Sequence, residues 1–343
     1  MDNIEYSSVT DQIEKLLSQN LLIPDVAYAQ KMLTLYGYSN LIKSYREPYT
    51  ITCADGKKVF RAGVSFDQIC SLYLLDKNLR NSVMAAMLDL EEHIKEAAAD
   101  VVASSFGVQP DQYLQFRCYQ NKRKHVERFS LGSILNAMRE TLNTDKDPIH
   151  HYATVHGIVP PWILFKSVYF STMVNFIDQF KRPQKEAMIK HLYVAENIPE
   201  EYAEAASLMM KTLMLSLSYR NRAAHGGRIY NYSGSRDDAN YGFSQLLIYL
   251  NRLAYQSPFI QLNESLSEEI NRHCSKYPED VTYLSTVLNI DIKPVRLVYI
   301  SENSHKYHAD RHCSGMQNAK AVELDEIKDS GYTPCHRCFR SLS

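Results

Sequence analysis

The sequence predicts a mainly α-helical chain with a small α+β module at its C-terminal end. Three observations carry this. From Ser65 to Phe106, apolar residues recur at helical spacing for about forty residues. From Glu200 to Ala224 a second long helix is expected, with Ala205, Leu208, Met209, Leu213 and Leu217 at steps of three and four. At Asp291-Ile292-Lys293-Pro294 the helical periodicity stops, and short strand patterns with paired His and Cys residues follow. The predicted division is therefore a helical domain over 1–290 and a module over 295–343.

Composition agrees with a folded chain. Of 343 residues, 45% are apolar and 22% charged, which excludes a disordered chain. No period of repeat-protein length recurs, so a solenoid is excluded. The formal net charge is −1, so any nucleic-acid site must be a local patch. The 24 tyrosines can stack on bases, but most read as amphipathic packing residues. The start, MDNIEYSSVTDQIEK, is acidic without an apolar core and does not read as a signal peptide. The most apolar helix carries Lys211 and is too short for a bilayer, so no membrane association is expected. Seven cysteines, three of them from Cys313 onward, fit a reducing cytoplasm with a metal site better than a secreted disulfide framework.

In chain order, residues 1–45 read as two short helices split by Leu22-Ile23-Pro24-Asp25. Residues 46–64, with Pro48, a Thr-Ile-Thr run and Asp55-Gly56, read as a turn or short hairpin. Ser65 can cap the long helix, whose stripe is Ile69, Leu72, Tyr73, Leu79, Val83, Met87, Leu90 and Ile94. Phe106-Gly107 ends it, and a helix of this length is expected to be the spine of a bundle. Arg117, Lys122, Arg123, Lys124 and Arg128, with His125 when protonated, form a basic stretch. It reads either as a patch that tracks phosphates or as a solvated face or loop. Pro160-Pro161 opens a helix with Trp162, Phe165, Tyr169 and Phe176 as core candidates. Pro183 marks a break. Residues 241–290 read as two helices, the first with Phe243, Leu246, Leu247, Leu250 and Leu253.

The chemistry is expected at Leu213–Tyr232, LMLSLSYRNRAAHGGRIYNY. Extending the apolar ridge by fours from Leu213 gives Leu217, Asn221 and His225, so a buried stripe turns polar at its last turn. Gly226-Gly227 supplies the left-handed stop of a helix. Histidine can shuttle a proton near neutral pH. Arginine can fork two donors onto phosphate oxygens as charge builds in a transition state. RNA brings its own nucleophile, the 2′-hydroxyl, so such a site requires no metal. The same residues also read as C-terminal capping and dipole compensation.

The tail carries His308, four intervening residues, Cys313, then Cys335-x-x-Cys338. Two close pairs of soft or borderline ligands suit tetrahedral zinc, and a segment this short needs the metal for stability. His305, His312 and His336 are rival ligands; His308 is preferred because it follows Lys306-Tyr307.

Arg220-Asn221-x-x-x-His225 followed by Gly-Gly-Arg228-Ile-Tyr-Asn resembles the signature of HEPN-fold ribonucleases, specifically the bacterial Abi-like (abortive infection) family. Leu35-Tyr36-Gly37-Tyr38 with Leu41 resembles its early block. Ser65–Arg80, continuing to Leu90-Glu91-Glu92-x-Ile94-Lys95, resembles its long central helix. Pro160-Pro161-Trp162-Ile163 resembles its proline-x-tryptophan block, although Lys166–Ser171 replaces the usual continuation with a glutamate and Ser-Phe-Gly. The tail, from Lys306-Tyr307-His308 through Glu323–Glu326 to Gly331–Cys338, resembles an Ada-type zinc-binding domain. His308 stands where its first cysteine would be, so the methyl-transfer chemistry of that module is not implied.

The resemblance implies a HEPN-like helical bundle and a metal-independent endoribonuclease acting in abortive infection or as a toxin. His225 would move protons, Arg220 would stabilise the phosphate and Asn221 would orient it or Arg220. Arg228 joins the basic stretch as an RNA contact. The implied partners are an RNA substrate, a second copy in a symmetric homodimer, and a regulating RNA or antitoxin. The zinc would be structural. A second reading is a non-catalytic RNA-binding or scaffold protein. A metal-dependent nuclease is disfavoured, because no carboxylate cluster at ligand spacing stands out in the sequence.

Overall fold

Ser8 opens the first helix: its Oγ accepts from the Asp11 N–H while the Asp11 carboxylate accepts from the Ser8 N–H, a reciprocal cap. In this computed structural model, residues 6–54, 56–233, 242–292, 297–301, 304–309, 311, 313, 316 and 318–338 are described. The composition boundary at Lys293-Pro294, and the rival ligand His312, lie outside them.

The first elements are α1 (Val9–Ser18), α2 (Val26–Tyr36) and a hairpin of β1 (Thr50–Thr52) and β2 (Lys58–Phe60), paired Thr50 to Phe60. The expected two helices and hairpin are therefore present. Helix α3 (Phe66–Phe106) follows, and the Gln68 N–H donates to Ser65 Oγ at its start. Every residue of its predicted stripe is at most 6% exposed. Next come α4 (Pro110–Tyr113), α5 (Leu131–Leu142), α6 (Ile149–His151), α7 (Pro161–Leu164), α8 (Phe170–Asp178), α9 (Arg182–Leu192) and α10 (Tyr202–Ala224). After α11 (Phe243–Asn251), α12 (Ser257–Cys274) and α13 (Val281–Leu288), the tail holds β3 (Leu297–Ile300), β4 (Lys306–Tyr307), β5 (Lys320–Glu323), α14 (Leu324–Ile327) and β6 (Thr333–Pro334). The chain is mainly helical with a small C-terminal sheet region, as expected.

Three expectations are corrected. Residues 242–290 form three α-helices, and Pro258 and Pro278 each sit in the first turn of a new helical segment. Pro160-Pro161 opens only the single turn α7, and the chain breaks before α8. Of its core candidates, Phe165 and Phe176 are fully buried, but Tyr169 is 82% and Trp162 37% exposed. The expectation placed all four in one helix, whereas Tyr169 stands in the break just before α8 and turns out. Pro183 sits in the first turn of α9, so the break lies just ahead of it.

The chain forms two compact units, Met1–Asn78 with Ser265–Ser343, and Leu79–Glu264. In the first, a buried polar network joins the residue before β1, α3, the end of α12 and the segment after it. His273, with no exposed surface, lies 2.9 Å from Ser71 Oγ and 2.9 Å from Asp280 Oδ2. Tyr49 and Gln68 also donate to Asp280. Burial would raise the Asp280 pKa, but the hydrogen bonds from His273, Tyr49 and Gln68 outweigh it and hold the carboxyl below the usual range. In the second unit, α10 packs on α8, α9 and α11. Ala205, Leu208, Met209, Leu213 and Leu217 of α10 are all buried.

Candidate functional site

Helix α10 ends where the sequence places its stop. Gly226, at φ +69°, donates to the Ala223 carbonyl at 3.0 Å, and the Gly227 N–H donates to the Arg222 carbonyl at 2.9 Å. These two bonds form a Schellman cap with His225 as the last residue before the turn. The chain then folds back. Arg222 Nε donates to the Arg228 carbonyl, and its guanidinium lies over the Tyr232 ring. Tyr219 Oη donates to the Tyr232 carbonyl at 2.8 Å, and Ser218 Oγ lies 2.6 Å from Tyr232 Oη. With Ile229 and Tyr230 buried, this returning segment fixes the helix end on which the candidate residues sit.

The three candidates differ in burial. His225 is exposed, whereas Arg220 and Asn221 are partly buried. Arg220 Nε faces Glu91 Oε2 of α3 at 3.8 Å, too long for a hydrogen bond, and both atoms are buried without a hydrogen-bond partner among the described residues. The other oxygen, Glu91 Oε1, is 2.7 Å from Lys95 Nζ. Glu91 thus stands between two cations. The sequence offered it only as part of a family-like block, with the i, i+4 spacing to Lys95 as its one local signal.

The basic stretch is a loop with short 3₁₀ turns. Lys122 and Lys124 both reach Asp178, at 2.9 and 2.5 Å, and Lys185 lies 3.5 Å from the same carboxylate. Burial would raise the Asp178 pKa, yet Lys124 and Lys122 hold it down at about 2. Burial pushes the Lys185 ammonium down to about 8. Arg117 donates to Gln115, Arg128 lies over Phe129, and Arg123 is exposed. Arg228 is partly buried in the returning segment.

The tail brings its predicted ligands together. The donor atoms of His308, Cys313, Cys335 and Cys338 all lie within 4.8 Å of one another and could hold a metal ion. Cys313 Sγ is 4.0 Å from Cys335 Sγ, and His308 Nδ1 is 3.6 Å from Cys338 Sγ. Backbone pairing places them. His308 exchanges two hydrogen bonds with Tyr299, and the Cys335 N–H donates to the Tyr307 carbonyl. Strand β4 lies parallel to β6, which delivers Cys335 beside His308. The rivals His305 and His336 are exposed and outside this cluster. Burial disfavours the Cys335 thiolate, but N–H groups of Arg337 and Cys338 outweigh it and hold the thiol below its usual range. No helix among the described residues is long and apolar enough to cross a membrane.

No curated protein and no solved structure matches the chain. A family model described as Abi-like protein matches residues 31–231. That is more than half of the chain, and it includes α3, the proline-tryptophan turn and the capped end of α10. The chain belongs to the Abi-like protein family.

Proposed function

We propose that the chain is a HEPN-type endoribonuclease acting in abortive infection, or a toxin of the same chemistry. One observation carries this reading: the capped end of α10 leaves His225 exposed at its tip while Arg220 is aimed at Glu91. His225 would take the proton from a ribose 2′-hydroxyl and return one to the leaving oxygen. Arg220 would bind the phosphate as its charge develops, and Asn221 would orient it or Arg220. The products would be a 2′,3′-cyclic phosphate (or a 3′-phosphate) and a 5′-hydroxyl. Glu91 would keep the guanidinium in place without consuming its remaining donors. Arg117, Lys122, Arg123, Lys124, Arg128 and Arg228 would track the RNA backbone. Membership of the Abi-like family supports the abortive-infection role, with a regulating RNA or antitoxin as restraint and the cytoplasm as the place of action.

His225→Ala should lower cleavage of labelled RNA by at least about a hundredfold, the scale of a lost general acid–base group. Its melting temperature should stay near that of the wild type, because the side chain is exposed. Cleavage by the wild type should continue in excess chelator. A His225→Ala protein that cuts at the wild-type rate refutes the assignment.

One Arg and one His are few donors for phosphoryl transfer. Two-fold symmetry would double them without new sequence. The active form is therefore expected to be a homodimer with the two His225 side chains close together. Light scattering showing a fully active monomer at micromolar concentration would exclude this.

In the tail, zinc is the proposed metal. A tetrahedral zinc with sulfur ligands at about 2.3 Å and nitrogen at about 2.0 Å spaces two sulfurs about 3.8 Å apart and sulfur from nitrogen about 3.5 Å. The Cys313–Cys335 and His308–Cys338 separations of 4.0 and 3.6 Å fit that ion. Four protein ligands leave no position for water, so its role would be structural, as in an Ada-type domain without the methyl-transfer cysteine.

A further inference from the structure

Trp162 is the only tryptophan in the chain, and 37% of it is exposed. It lines a cleft of about 340 Å³ with Leu88, Glu91, Glu92, Glu96 and Lys166. Positions 88, 91, 92 and 96 share one face of α3 at helical spacing. Leu88 is half exposed, so two large apolar groups stand open here. Fully buried Phe165 also lines the cleft. Glu91 is 9% exposed, and its Oε2 makes no hydrogen bond among the described residues. The same oxygen faces Arg220 at 3.8 Å, so the cleft shares a wall with the candidate phosphate-binding arginine.

We propose that this cleft is a nucleobase subsite, in which a base of the bound RNA stacks on Trp162 and donates N–H groups to the carboxylates around it. The inference rests on the ribonuclease reading of Arg220. Volume and an open indole suit a flat aromatic ligand. Charge decides which part of RNA enters. Glu91 is matched by Lys95 at 2.7 Å and faces Arg220, so the charges left on the lining are Glu92 and Glu96 against Lys166. A phosphate is repelled, whereas an edge rich in N–H donors is attracted. Guanine, with adjacent imino and amino donors, ranks first, followed by cytosine and adenine with one amino group each. Uracil, whose N–H lies between two carbonyls, ranks last.

The single tryptophan gives the test its own reporter. Full-length His225→Ala protein is titrated with GMP, AMP, CMP, UMP and ribose 5-phosphate while tryptophan fluorescence is followed. GMP should quench saturably and bind at least about fivefold more tightly than UMP, and ribose 5-phosphate should leave the signal unchanged. Glu92→Gln with Glu96→Gln should narrow the preference for GMP over UMP. In otherwise wild-type protein, Trp162→Leu should raise the KM for RNA roughly tenfold with little change in kcat. Absence of saturable quenching by any nucleotide overturns the proposal, as does equal quenching by ribose 5-phosphate. So does quenching that appears on raising protein concentration without nucleotide, because a second copy then fills the cleft. If nucleotides fail to bind while wild-type protein cuts RNA and His225→Ala does not, the subsite is wrong and the ribonuclease reading stands. Selective quenching in a protein that never cuts RNA upholds the base site and removes catalysis.

Discussion

A Cβ on Gly227 would sit 2.2 Å from Arg222 Nε and 2.4 Å from its Cδ. Moving Cδ means moving the whole side chain, which would forfeit the bond to the Arg228 carbonyl and the contact with Tyr232. Gly226 is needed for a different reason, its φ of +69°, which L side chains adopt only with strain. Gly227→Ala should therefore lower stability by roughly 1–3 kcal/mol, the usual cost of overpacking. In the double variant with Arg222→Ala, the added cost of Gly227→Ala should largely disappear, because the clash is with that side chain. Urea unfolding of the four proteins measures this coupling, and equal stability of Gly227→Ala and wild type would mean that Arg222 swings away freely. The double glycine, and the polar turn ahead of it, were legible in the sequence because capping is local chemistry. Glu91 was not. It lies on another helix, and its approach to Arg220 is a product of packing that no spacing within either helix encodes. The Arg222 side chain against Gly227 is close in sequence, but its course is set by the Arg228 carbonyl and the Tyr232 ring, which spacing does not encode.

Among the elements, α8 ends on a single carboxylate that holds three lysines from elsewhere: Lys122 and Lys124 of the loop, and Lys185 of α9. Asp178 is held at about 2 in the fold, below the ordinary aspartate value of about 3.9. The unfolded chain therefore binds more protons between those values, and stability rises with pH across that range. The contribution is complete above about pH 4–5 and is lost as pH falls through about 2. Discounted for partial solvent screening, it is on the order of 1–2 kcal/mol. Asp178→Asn should accordingly melt at a lower temperature than wild type at pH 7, with the gap closing as pH falls toward 2. A gap independent of pH would show that the lost contact is steric and not ionic. Long helices with clean periodicity, α3 and α10, were legible because tertiary packing reinforced their local pattern. Errors came where proline punctuation competed with periodicity. Pro258 and Pro278 each open a new helical segment within 242–290, and the break before α8 exposes Tyr169.

At the scale of the whole molecule, the question is what holds the tail together. Its hydrophobic cluster is small: Val298, Leu324 and Ile327 are buried, with Ile300, Tyr307, Val322 and Tyr332 packed partly against them. A cluster of that size is too little to fold a module alone, and a metal would supply the missing free energy. The ligands come from the segment after β4 and the turn after β6, so one ion would bind together two separate parts of the tail. The ion pair from the tail to α12, Arg311 with Glu268 at 3.9 Å, has both side chains well exposed and adds little. Cys335→Ser should therefore abolish zinc binding and open residues from about 297 onward to limited proteolysis. The proposed helical body, residues 1–290, should keep its cooperative melt and its basal cleavage of a generic RNA. His308→Ala should release the ion as well, because its Nδ1 faces Cys338, whereas His305→Ala and His336→Ala should retain it. Acidification should lower occupancy in the wild type, since each thiol must lose its proton to ligate. Elemental analysis of protein purified without chelator, beside proteolysis of the variants, decides the matter. A zinc content of zero in the wild type rejects the ion. Loss of the helical melt in Cys335→Ser rejects the independence of the tail.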